Sequence, residues 1–85
     1  MLFHANARLV DPGRFEELLP AESAAAVLLA GEGLVTQTLL RANRDGFFIT
    51  VEAADADAAA RVLDRLPFVS KGVVSIVELV EVRVI

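Results

Sequence analysis

The residues best suited to proton chemistry are His4, the sole histidine, and Glu22. His4 has a reference pKa near neutrality, so it can take or give a proton at physiological pH. Glu22 falls within an apolar helical stripe, where poor solvation raises a carboxyl pKa toward a range useful for proton transfer. Proton-transfer catalysis needs only a base that removes a proton and a group that returns it elsewhere, so these two residues are the catalytic candidates. Each also has a plainer role. His4 can be a framework residue held by a backbone or cross-subunit hydrogen bond, and a kink at Pro20 would turn Glu22 outward into water.

Around them stand residues suited to binding. Asn6 and Arg8 share His4's side of an alternating strand and make that side polar. Arg41 can hold a carboxylate through a two-pronged hydrogen bond, or it is a solvated hairpin residue. Phe48 falls on the same side if Phe47, Ile49 and Val51 face the helices, and would supply an apolar wall for a ring. Glu52 completes the set, and with the first and third strands taken as parallel neighbours it is expected to pair with Arg8.

Other chemistries lack their residues. The chain has no cysteine, hence no disulfide, thiolate nucleophile or Cys-based zinc site, and one histidine makes no multi-His centre. Gly31-Glu32-Gly33 lacks the Lys-Ser/Thr of a phosphate loop and reads as a helix stop. Ser23, Ser70 and Ser75 have no partners suggesting a triad, and no cofactor is expected.

The elements that must position these residues follow from periodicity. Phe3, Ala5, Ala7 and Leu9 alternate with His4, Asn6 and Arg8, which is a strand. Asp11-Pro12 reads as a helix start, and Phe15, Leu18, Leu19, Ala26 and Leu29 continue at helical spacing, with Pro20 predicting a kink or two short helices. Val35–Arg41 and Gly46–Ala53 are rich in β-branched and aromatic residues around an Ala42-Asn43-Arg44-Asp45 turn, which makes a hairpin. Asp55 caps a second helix whose Ala59, Val62, Leu63 and Leu66 share one face up to Pro67. Gly72–Ile85 is a long strand with Val74, Ile76, Val80, Val82 and Val84 on one side and Glu78 as the exception.

The order β-α-β-β-α-β in 85 residues is the α+β, ferredoxin-like arrangement, a single domain with a four-stranded antiparallel sheet and both helices on one face. Two helices cannot cover both faces, so the other is left partly apolar. Pairing two such faces about a two-fold axis closes a cavity, and the expected assembly is a homodimer or a larger homo-oligomer that takes a small-molecule ligand.

Met1-Leu2-Phe3-His4, the Asp11-Pro12 start, Glu22, Glu32-Gly33 and Leu66-Pro67-Phe68 stand at separations that resemble the muconolactone delta-isomerase family over most of the chain. The resemblance implies a dimeric α+β barrel, and an activity that moves a double bond in an unsaturated lactone during aromatic-compound breakdown. It also gives Glu22 a family counterpart. The chain departs from that family in having no Tyr or Trp and no His-Pro-Ser-Ser tail, which marks a divergent member acting on a lactone or on an aromatic or polyketide-derived molecule. The alternatives within the fold are a non-catalytic ligand-binding or assembly protein and a cofactor-free monooxygenase or cyclase.

Composition bounds the partners. With 55% hydrophobic residues and a net charge of −4, the chain is neither a disordered tail nor a polybasic nucleic-acid binder. An RNA-recognition module shares the element order, but Phe47 and Phe48 are adjacent and point to opposite faces, whereas base stacking on a sheet takes aromatics two apart. The longest apolar run, Ala24–Ala30, is too short to span a bilayer, and the start lacks the cationic region of a signal peptide. A cytoplasmic protein without membrane or nucleic-acid partners is therefore expected.

Overall fold

The computed structural model describes residues 1–85. Strand β1 (Leu2–Leu9) leads through a single 3-10 turn (Pro12–Arg14) into helix α1 (Phe15–Gly31). The hairpin β2 (Val35–Leu40) and β3 (Gly46–Glu52) follows, then α2 (Ala56–Asp64), the one-turn α3 (Pro67–Ser70) and β4 (Val74–Val82). The sheet order is β2-β3-β1-β4, and every neighbouring pair is antiparallel. This is the ferredoxin-like α+β fold expected from the element order, with the sheet open rather than closed on itself.

The alternation of β1 divides the molecule. Phe3, Ala5 and Ala7 are buried on the helix side together with Ile49, Val51, Leu29, Leu63 and Phe68, while His4, Asn6 and Arg8 stay partly exposed on the other side. Asp55 caps α2 as the sequence requires, its carboxylate accepting the Ala58 N–H at 2.7 Å. Helix α1 ends on Gly33 at φ 75°, with the Leu34 N–H returning to the Leu29 carbonyl, so Gly31-Glu32-Gly33 is the helix stop. Glu32 then ties this end to α2 through two bonds from Arg65, at 3.0 and 2.6 Å.

Four expectations need correction. Helix α1 runs unbroken past Pro20, with neither the predicted division nor an outward-facing Glu22. Glu16, whose carbonyl loses its i+4 donor, is exposed, so solvent takes the place of the missing bond. Asp11 makes no side-chain cap, and Pro12 opens a 3-10 turn instead of the main helix. Strands β1 and β3 are antiparallel, which sets Arg8 opposite Gly46 and Leu2 opposite Glu52, so Arg8 and Glu52 lie at opposite ends of the pair and do not meet.

The fourth correction concerns β4. Its register against β1 shifts between Asn6 and Ala7, where Val77 is the extra residue of a bulge. Before the bulge Val74 and Ile76 face the helices, and after it Leu79 does, while Val80 pairs with His4 and Glu78 with Asn6 on the uncovered face. Val74 and Val80 therefore do not share a side, and Glu78 is in register with its surroundings.

The uncovered face keeps apolar surface. Leu39 is 47% and Val80 41% exposed, on strands at opposite edges of the sheet. Helix α1 is apolar beyond its inner stripe as well, since Val27 and Leu28 also stand exposed. No helix is long and apolar enough to cross a membrane.

Candidate functional site

On the helix side, α1 presents Phe15, Leu19, Glu22, Ser23 and Ala26 on one face toward the hairpin and α3. Between them lies a pocket of about 190 Å³, closed by Val35 and Thr38 of β2, Phe47 and Ile49 of β3, and Phe68 and Val69 of α3. Its aromatic wall is packed: the rings of Phe15 and Phe68 are 4.8 Å apart and those of Phe47 and Phe68 6.1 Å. Ten of the thirteen lining residues are hydrophobic, and the other three are Glu22, Ser23 and Thr38.

Glu22 is there because α3 needs it. Pro67 occupies the first position of that helix, and the residue before it, Leu66, has no side-chain acceptor with which to cap the turn. The Phe68 N–H instead donates to Glu22 Oε1 of α1 at 2.8 Å. Oε2 makes no hydrogen bond within the chain. Burial raises the Glu22 pKa above the ordinary carboxylate value, and the Phe68 N–H pulls it back only in part. A half-buried carboxyl that holds its proton more tightly than usual, in an apolar pocket, is suited to proton exchange with a bound carbonyl compound.

The remaining candidates gather on the opposite, uncovered face. His4 stacks on Phe48, ring centroids 5.3 Å apart and 19° between planes, and the Arg41 guanidinium lies 5.2 Å from the Phe48 centroid. Arg41 Nε and Arg8 Nη2 both donate to Asp45, the latter at 2.8 Å, with Asn43 Nδ2 adding a third bond at 3.1 Å. Desolvation acts to raise the Asp45 pKa, but the bond and charge of Arg41, the charge of Arg8 and the Asn43 bond outweigh it and hold the group below its ordinary value. Two guanidinium groups thus share one carboxylate, which leaves a surplus positive charge beside the ring stack. Asn6, next along the strand, has a buried Oδ1 without a partner.

The structure therefore brings His4, Asn6, Arg8, Arg41 and Phe48 together on one face and leaves Glu22 on the other side of the sheet. Glu52 joins neither group. It accepts from the N-terminal ammonium of Met1 at 2.7 Å, at the far end of β3. The sequence reading missed Asp45, whose position four residues after Arg41 in a tight turn was the available signal. It also missed Thr38, Phe47 and Phe68 as pocket walls. The signal there was Leu66-Pro67, a helix start without a capping residue, which demands an acceptor from another element.

A four-stranded antiparallel sheet with its helices on one face defines the class, a ferredoxin-like α+β domain. Within it, the chain belongs to the YCII-related domain family, whose model matches residues 13–83. Among solved structures it is similar to the 5-chloro-2-hydroxyhydroquinone dehydrochlorinase TftG from Burkholderia phenoliruptrix AC1100, in complex with 2,5-dihydroxybenzoquinone. That likeness has a TM-score of 0.68 at 19% identity and covers 98% of this chain and 94% of the other. No curated protein matches the sequence. The ferredoxin-like α+β fold expected from the element order thus holds, and the family that matches is the YCII-related one rather than the muconolactone delta-isomerase family.

Proposed function

We propose that this chain is a small-molecule acid–base catalyst in which Glu22 moves a proton on a ring compound held in the pocket between α1, α3 and the sheet. The observation that supports this most directly is the Glu22 carboxylate: half-buried, tethered by one oxygen to the Phe68 N–H, and lining a predominantly apolar pocket. The reaction that suits it is a double-bond shift in an unsaturated lactone, the activity implied by the resemblance to muconolactone delta-isomerases. Glu22 takes a proton from the carbon beside the carbonyl, the C–H electron pair passes into an enolate, and the proton returns at the far carbon of the shifted double bond. Nothing is oxidised or reduced, so the step needs no co-reactant. The similarity to TftG, a dehydrochlorinase in complex with a single-ring quinone, agrees with a ring as ligand.

The test is solvent-deuterium uptake and double-bond migration in simple β,γ-unsaturated lactones, followed by NMR. Glu22→Gln keeps an acceptor for the Phe68 N–H but cannot titrate, and should lower the rate by on the order of 10² to 10⁴ with the fold intact. Full activity in this variant removes Glu22 from the chemistry.

A second reading rests on the partnerless Asn6 Oδ1 beside the stacked His4 and Phe48. In it the uncovered faces of two chains pair, His4 is the base in the cavity between them, and Arg41 or Arg8 holds an anionic substrate. His4→Gln separates the two: a loss of 10² to 10⁴ with Glu22→Gln fully active selects the sheet face.

A further inference from the structure

The pocket has a charge pattern that restricts what it can take. Glu22 is its sole ionisable lining residue, and no Arg, Lys or His reaches it. Arg44 lines a separate, more open groove with Glu16, and the rings of Phe15 and Phe47 stand between the two spaces. Arg8 and Arg41 are committed to Asp45 on the other side of the sheet. A ligand carboxylate in this pocket would therefore lose water, gain no cation and stand near another carboxylate, which is repulsive in a poorly hydrated space.

Size is bounded as well. An apolar cavity of roughly 150 Å³ accommodates benzene. At about 190 Å³ this pocket encloses one six-membered ring with small substituents, and it opens to solvent beside the exposed Leu19 and Ser23. The hydroxyls of Ser23 and Thr38, together with Glu22, then supply the only polar side-chain contacts a ring substituent can make.

We infer that the ligand of this pocket is an uncharged compound whose enclosed part is a single ring bearing a hydroxyl or carbonyl group, and that carboxylate-bearing lactones are excluded. The inference rests on the assignment of the site to the Glu22 pocket. It narrows the substrate class relative to the resemblance, because a muconolactone carries a carboxylate that this pocket has no group to receive.

Phenol and benzoate, alike in ring size and opposite in charge at neutral pH, are the probes. Amide shifts of Phe68, Val69 and Ser23 in a ¹⁵N-labelled sample, titrated with each, give the two affinities at this site. Phenol should saturate these shifts, benzoate should bind at least roughly tenfold more weakly, and Glu22→Gln should narrow that gap by relieving the repulsion. Benzoate binding as tightly as phenol at the same amides overturns the inference and leaves the site standing, and loss of that benzoate affinity in Arg44→Ala would trace it to an anchor at Arg44. Silence of these amides toward both probes overturns the site assignment and the inference together. Phenol selectivity combined with an active Glu22→Gln enzyme upholds the ligand class and removes only the catalytic role of Glu22.

Discussion

The Phe68 N–H donates to the Glu22 carboxylate at 2.8 Å, so that α1 caps α3 from 46 residues away. One side chain thus holds together the two elements that wall the pocket. Glu22→Ala removes the acceptor and should destabilise the fold by about 0.5–2 kcal/mol, the usual cost of a lost cap, whereas Glu22→Gln should cost much less. Urea denaturation at neutral pH measures both.

The same residue sets a pH dependence with a definite sign. Its pKa in the folded chain lies above the unfolded value, because burial disfavours the charged form. Relative to Glu22→Gln, the wild-type contribution is therefore full at pH below the ordinary carboxylate pKa and is lost as pH rises through the folded value. Stability differences between the two proteins, measured from pH 3 upward on the order of one unit at a time, should fall with rising pH and then level. A difference that grows with pH contradicts the burial of this carboxylate.

Asp45 has the opposite sign. Its folded pKa is depressed by Arg41, Arg8 and Asn43, so the stability it contributes is present above its unfolded pKa and is lost as pH falls through the folded one. Asp45→Asn should flatten the acid limb of the stability curve and leave two guanidinium groups without their shared partner. Because the group is partly solvent-exposed, high salt should shrink the difference between variant and wild type.

How far the sequence carries can be judged at particular residues. The alternation of Phe3, Ala5 and Ala7 against His4, Asn6 and Arg8 was legible because a strand has a period of two and one face is buried. Asp55 was legible because an N-cap is a local device. The bulge at Val77 was not, since one extra residue leaves the apolar content unchanged and merely moves Val80 and Glu78 to the other face. Glu22 stood out as a carboxylate in an apolar stripe, but its partner is a backbone N–H on another helix, which no periodicity of α1 reveals. Its separation from His4 by the thickness of the sheet is likewise a tertiary fact.

Gly46 tests the close approach of β3 to β1. A Cβ built there would lie 2.1 Å from the Ala7 carbonyl oxygen, a backbone atom that cannot move aside without shifting the central strand. Gly46→Ala should therefore cost about 3 kcal/mol, at the upper end of overpacking effects, and lower the thermal midpoint by roughly 12–24 °C. A variant as stable as the wild type would show that the two strands can part at this end, next to Asp45 and its arginines.

Assembly is the remaining prediction, and it follows from what the helices leave bare. Leu39 on β2 and Val80 on β4 are large, apolar and exposed, and they flank His4 and Phe48 on a face that no element of this chain covers. Burying apolar surface is worth about 25 cal/mol per Å², and a stable interface takes roughly 800 Å² from each partner, an area that the face of a four-stranded sheet can supply. Two-fold pairing of these faces should give a homodimer at micromolar concentration by light scattering. Val80→Glu sets a charge in the apolar part of the interface near Glu78, and its symmetry mate does the same, so this variant should run as a monomer while keeping its far-UV spectrum. A wild-type monomer at that concentration, or a Val80→Glu dimer, would mean that the sheet face is not the contact.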